Sequence, residues 1–304
     1  MFAALVFAAP LATVPANAAG VDQLNGYWSP FTRCPVDNRV MLAADGKADI
    51  ASCVSSYSPS GTIKLGNLTA LTSASELQFG VVQHAAARTF TVVPPPGGAV
   101  VGAPTEIPGG LLGLVCTSGI PVVSDICRAA SENGLNRVTA TVESVGTPTD
   151  FSLTSALGPG MPIVRLPVRI RLQNPLLSSE CYIGSADDPI VLRLQNDSKP
   201  AMASQRFDGD GTPNASRGAM MRFVLTESSQ GDSGFAVPKA HDCGLWGLVD
   251  LAIDLKVGLP SPAGNNSLVL SGASIYSAGL TAPGIVHPDN GKHLSKFWHS
   301  ALLP

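Results

Sequence analysis

IVRLPVRIRL, residues 163–172, decides the fold class of this chain. Val164, Leu166, Val168, Ile170 and Leu172 alternate with Arg165, Pro167, Arg169 and Arg171. Strand side chains point to opposite faces with a period of two, so five apolar residues share one face and three arginines share the other. That is a half-buried strand. Pro167 has no N–H to give to a ladder, which predicts a sheet edge or an adjacent bulge.

Working outward, short apolar runs separated by Gly, Pro, Asn and Ser recur from about residue 60 onward. Strands are predicted over 61–69, 76–83, 88–94, 137–145, 189–195, 221–227 and 266–276, besides the one quoted. With one buried face each, they pack most economically as two antiparallel layers. The fold class expected is mainly β, an antiparallel β-sandwich with a few short helices and disulfide-stapled loops. Two stretches depart from this rhythm. Residues 94–135 form a Pro/Gly-rich loop leading into a short helix capped by Ser124 and ended near Gly134. In 243–260, Leu245, Leu248, Val249, Ala252, Ile253 and Val257 recur at helical spacing, which puts Asp250 and Asp254 one turn apart on the exposed side.

The composition agrees with a turn-rich β-protein. The 304 residues include 31 Gly and 25 Pro, and 13% are charged against a usual share of about 25%. A net charge of −3 gives no support for a nucleic-acid partner or for adsorption to an anionic membrane. The apolar start, followed by Ala16-Asn17-Ala18, reads as a secretion signal over residues 1–18, although no Lys or Arg precedes Arg33. Residues 19–304 are then a single secreted β-rich domain. No later apolar stretch is long enough for a transmembrane segment.

Six cysteines in an exported chain read as three disulfides among 15 connectivities. The preferred set is sequential: Cys34–Cys53, Cys116–Cys127 and Cys181–Cys243. Zinc is disfavoured, since no CxxC or HxxxH pair is present. FDGDGTPNAS (207–216) begins like a calcium loop at Asp208 and Asp210, but has Pro213 and Ala219 where Gly and Glu are needed. No metal and no cofactor is expected. His287, His293 and His299 lie in what reads as a polar C-terminal tail.

The candidate catalytic residues are Ser233 and His241. Ser233 stands in QGDSGFAVP (230–238), and its GDSG also surrounds the nucleophile of trypsin-like proteases. A serine needs a histidine to take its proton and a carboxylate to orient that histidine. His84 and Asp125 supply the protease order, but VVQHAAAR and SDIC do not resemble that family's histidine and aspartate segments. His241, beside Asp242, is nearer. The competing reading of QGDSG is a turn, with Asp232 accepting backbone hydrogen bonds and Gly234 free to adopt positive φ.

Several strings accumulate along the chain: FTRCPVD (31–37), SPSGTIKLGN (58–67), FTVVPPPGG (90–98), CYIGSADDPIVLRLQ (181–195), QGDSGFAVP and GLPSPAGNNSLVL (258–270). Together they make the chain resemble secreted actinobacterial proteins, mostly from Streptomyces, labelled cholesterol esterase. The resemblance implies secretion, a disulfide-bonded β-rich domain and action on a lipid or sterol ester.

Two functions follow. One is a secreted esterase forming an acyl-enzyme on Ser233 with His241 as base, the Gly-flanked turn supplying oxyanion donors. The other is a non-enzymatic module that binds cell wall, lipid or a protein surface, with Arg165, Arg169, Arg171 and Arg193 as a cationic face.

Overall fold

A computed structural model describes residues 24, 27–116, 121–208, 211–218, 220–281 and 287–302. The expected signal segment lies outside them. A 3-10 turn (Ser29–Phe31) and α1 (Arg39–Leu42) lead into β1 (Asp49–Ser58), β2 (Ser60–Leu65), β3 (Leu68–Thr72), β4 (Ser75–His84) and β5 (Thr89–Val93). Next come β6 (Val100–Gly102), β7 (Thr105–Glu106), α2 (Gly110–Val115), α3 (Pro121–Glu132), β8 (Thr139–Ser144) and β9 (Pro162–Gln173). The chain continues through β10 (Tyr182–Ile183), β11 (Ile190–Asn196), β12 (Ala201–Phe207) and β13 (Met220–Asp232). It ends with β14 (Ala240–His241), α4 (Leu248–Val257), β15 (Ser267–Thr281) and α5 (Asn290–Ser300).

The structure is mainly antiparallel β, as the alternation predicts. Its two layers belong to one sheet: β13, β11, β9, β8, β6, β4, β1 and β15 follow one another, and β15 pairs again with β13. Every neighbour in this ring is antiparallel. The sheet therefore closes on itself, which satisfies edges that an open sandwich would leave exposed. Strands β2 and β3 branch from β15 and fold over the interior, so Leu65 and Leu268 share a core with Leu166 and Leu192 from the opposite layer. Helices α2, α3 and α4 pack against one another and add Leu111, Leu114, Val249 and Val257 to that core.

The quoted strand is β9, and its alternation holds: Leu166, Val168, Ile170 and Leu172 are buried, while Arg165 is exposed. It is not an edge strand, because β8 and β11 flank it. Pro167 is tolerated because β8 ends opposite Val168. The Pro167 carbonyl accepts from Val145 N at 3.2 Å, so its missing N–H faces the loop that replaces β8. The stretch 61–69 is two strands, turned at Gly66 with φ +54°, where a Cβ would lie 2.3 Å from the Val257 carbonyl oxygen.

Three other elements differ from expectation. Helix α3 begins at Pro121, so Ser124 lies inside it and is not its cap. The C-terminal stretch is not a polar tail but helix α5, with Leu294 and Trp298 buried. Strand β1 was not legible because its interior positions include buried Ser52, Ser55 and Ser58, which erase the hydropathy alternation.

Helix α5 completes a second core on the outer face of β1, β4 and β15, with Trp28, Phe31 and Met41 from the N-terminal segment. Trp298 Nε1 donates to Phe31 O at 2.8 Å, and Ser295 Oγ and His299 Nε2 both bond Asp37, at 2.6 and 2.9 Å. All three sequential disulfides are formed. Replacing Trp298 by Ala should cost about 3–5 kcal/mol. Trp298→Phe should lose about 0.5–1.5 kcal/mol for the hydrogen bond together with part of the packing. Urea unfolding of the two variants gives both numbers.

Candidate functional site

The QGDSG stretch ends β13. Ser233 is exposed, and no hydrogen bond joins it to His241. Asp232, only 9% exposed, organises the turn: its Oδ1 accepts from Gly234 N at 2.7 Å and its Oδ2 from Arg193 N on β11 at 2.6 Å. This is an Asx-type turn. Gly234 does not use positive φ; the demanding glycine is Gly231, where a Cβ would lie 2.5 Å from the Leu268 carbonyl oxygen on β15.

His241 lies in β14 beside Tyr182 of β10. Its Nδ1 is 2.9 Å from Asp242 Oδ2 and its Nε2 is 2.7 Å from Gly184 O. A carbonyl can only accept, so Nε2 carries a proton. Partial burial opposes the imidazolium, but Asp242 and the Gly184 carbonyl outweigh it, and the pKa is raised above the ordinary histidine value. A general base needs an unprotonated nitrogen facing its nucleophile, and this ring presents two engaged donors.

The protease pairing is not assembled either. Asp125 pairs with Arg128 at 2.9 Å, whereas His84 contacts Asp49 at 2.7 Å and Thr91 Oγ1 at 2.8 Å across β1, β4 and β5. The cationic face is partly neutralised: Arg169 donates to Glu143 at 2.9 Å and stacks 3.7 Å from the Tyr182 ring centroid, and Arg171 lies 3.8 Å from the same glutamate. Asp250 and Asp254 do not form an exposed pair. They accept from Cys243 N at 2.7 Å and Ala240 N at 2.8 Å, and tie α4 to the β14 segment. Burial raises the pKa of Asp254, while the Ala240 bond opposes that rise. Asp208 accepts from Asn214 Nδ2 at 3.0 Å, which closes the loop; Asp210 lies outside the described residues. Among the described residues, no group of three or more His, Cys, Asp or Glu side chains converges to hold a metal ion.

What the fold does assemble is an apolar cavity of about 120 Å³ between the two layers. Leu166, Ile170 and Leu192 line one wall, and Ile63, Leu68 and Leu268 the other. Its inner end is polar. Ser56 Oγ donates to Gln230 Oε1 at 2.8 Å, and Gln230 Nε2 donates to Asn196 Oδ1 at 3.4 Å. Gln230 also lines a second void of about 20 Å³, so the Ser56–Gln230 pair partitions the interior. The outer end lies at the seam between β3 and β7, which no ladder closes. Ser73 N donates to Thr105 Oγ1 at 2.9 Å, and Ala103 N to Ala74 O at 3.0 Å. Leu71, 74% exposed, and Thr72 border this opening, and the Thr72 hydroxyl is buried with no hydrogen-bond partner among the described residues.

Sequence reasoning missed this site because its residues are ordinary strand residues. Within QGDSG the residue that faces the cavity is Gln230, not Ser233, and nothing in its polar surroundings, TESSQGD (226–232), marked it as buried. Comparison with protein-family models, curated proteins and solved structures finds no match to this chain.

Asp232→Ala should cost about 1–3 kcal/mol, since it removes the charged acceptor of two partly buried N–H donors. Ser233→Ala should fall within about 0.5 kcal/mol of the parent. Chemical denaturation separates them. A raised histidine pKa contributes stability that is complete below about pH 6.5 and is lost as pH rises through the folded-state value. The parent should therefore lose thermal stability relative to His241→Gln on going from pH 6 to pH 8.5, as read by melting curves at both pH values.

Proposed function

We propose that this chain is an exported, non-enzymatic module that takes an apolar chain of a lipid-like molecule into its interior. The single observation carrying this reading is the apolar cavity with one polar end and an unladdered seam. Eight-stranded barrels either fill with side chains or hold one small ligand. A cavity of about 120 Å³ is close to the roughly 150 Å³ engineered cavity that stays dry and admits benzene. It is far below the roughly 300–1,000 Å³ pockets that enclose drug-sized molecules. The end of an alkyl chain fits, and a whole sterol ester does not. The buried Thr72 hydroxyl at the seam offers a hydrogen bond to a ligand oxygen.

Three disulfides support export, since such bonds persist in oxidising compartments. No described helix is long and apolar enough to cross a membrane. The resemblance to secreted proteins labelled cholesterol esterase favours the same ligand chemistry. The engaged state of His241 weighs against hydrolysis through Ser233.

A series of n-alkanols from butanol to dodecanol should raise the melting temperature, with affinity rising with length and then levelling once the cavity is filled. Ala70→Leu, which places a larger side chain on the cavity wall, should abolish that shift while leaving the unliganded protein at least as stable. Thr72→Val should weaken alkanol binding about fivefold with no loss of stability, because it removes a buried unsatisfied hydroxyl. Hydrolysis of a chromogenic short-chain ester that disappears in Ser233→Ala would overturn the binding-module reading in favour of the esterase.

A further inference from the structure

Helix α4 and the loop before it present a surface that the cavity does not use. The chain has three tryptophans; Trp28 and Trp298 are 0% and 6% exposed, whereas Trp246 is 98% exposed. Trp246 holds φ +54°, ψ +36°, a left-handed conformation that costs a bulky residue of order 1–3 kcal/mol. The loop is anchored immediately before it: Cys243 is bonded to Cys181, and Cys243 N donates to Asp250. Two residues after Trp246, α4 begins with an apolar outer stripe. Leu248 is half-buried, Leu251 is 48% exposed and Leu255 is 62% exposed, at i, i+3 and i+7. The inner stripe of Val249, Ala252, Ile253 and Val257 is buried, so the helix is apolar on both sides although only one is covered.

The charges around this stripe are sorted. Buried Asp254 and half-buried Asp250 accept from backbone N–H groups, and Asp242, exposed, is paired with His241. Lys239 and Lys256 are exposed. The chain as a whole carries −3, so attraction to an anionic surface is a property of this patch and not of the molecule.

We infer that Trp246 and the Leu251–Leu255 stripe of α4 dock the protein on a phospholipid surface, with the ring inserted at headgroup level and Lys239 and Lys256 facing acidic headgroups. A second protein is the poorer occupant. One projecting ring and two partly exposed leucines offer apolar area on the order of a few hundred Å², against about 800 Å² per partner in a stable interface. A lipid interface requires no complementary pocket; it takes Trp and Leu with flanking Lys. The inference stands apart from the cavity reading, since docking requires no cavity ligand.

The test uses the intact protein with vesicles of phosphatidylcholine containing phosphatidylglycerol. Because the other two tryptophans are buried, acrylamide quenching reports on Trp246. Vesicles should lower the quenching constant at least threefold and shift the emission to the blue, and the protein should co-sediment with them. Trp246→Gly should reduce the sedimented fraction about tenfold while raising the melting temperature, because glycine adopts this backbone without strain. A merely destabilising change would move the melting temperature the other way. Unchanged quenching and no co-sedimentation would overturn the inference. Shielding of Trp246 that grows with protein concentration in the absence of vesicles would also overturn it, in favour of a second copy of this chain as the occupant. Alkanol binding by Trp246→Gly should equal that of the parent, which keeps this result separate from the cavity.

Discussion

Strands β13 and β15, of 13 and 15 residues, pair from Met220–Thr281 to Asp232–Leu268, and this ladder closes the ring of strands within the sheet. Its register shifts at three places, and each irregularity bends and twists the pair so that two long strands can turn the corner between layers. Without this closure the interior would be a sandwich open along two edges. With it, the apolar faces of β9, β11 and β15 surround a common volume that side chains do not completely fill.

The same ladder explains QGDSG. At its end β13 is held between β11 and β15, with Gly231 opposite both Gln195 and Val269. There is no room for a Cβ at Gly231, Gln230 is directed into the barrel against Ser56, and Asp232 caps the neighbouring strand through Arg193 N. All three residues before the serine are thus committed to the fold, and the serine that follows is left at the surface. A tetrad shared with serine proteases arises here from the sterics of a barrel corner.

The functional reading and the docking inference concern different parts of the molecule but the same chemistry. In the proposed function the cavity would take a short apolar chain through the β3–β7 seam, and in the docking inference Trp246 and the exposed leucines of α4 would meet lipid. Both follow from apolar residues that the fold leaves without protein partners, in a chain with few charges. The small cavity limits what is enclosed, which is why a bound lipid would keep part of its length outside the barrel.

Much of the fold was legible in the amino-acid order. The period of two in 163–172 gave β9 and helical spacing gave α4, because these signals are local; the even cysteine count gave three disulfides but left their pairing open, and Cys181–Cys243 joins segments 62 residues apart. Strand β1 was hidden by its buried serines, and the helix of 290–300 by its polar face, because both are stabilised by distant segments. The candidate pair Ser233 and His241 was chosen by residue type, whereas roles depend on which atom each side chain meets. The chain by itself determined an antiparallel β-protein with three staples. Only the tertiary structure decided that the sheet closes, that His241 spends both nitrogens on Asp242 and Gly184, and that Gln230 faces the cavity, because ladder closure and hydrogen-bond partners come from residues far apart in sequence.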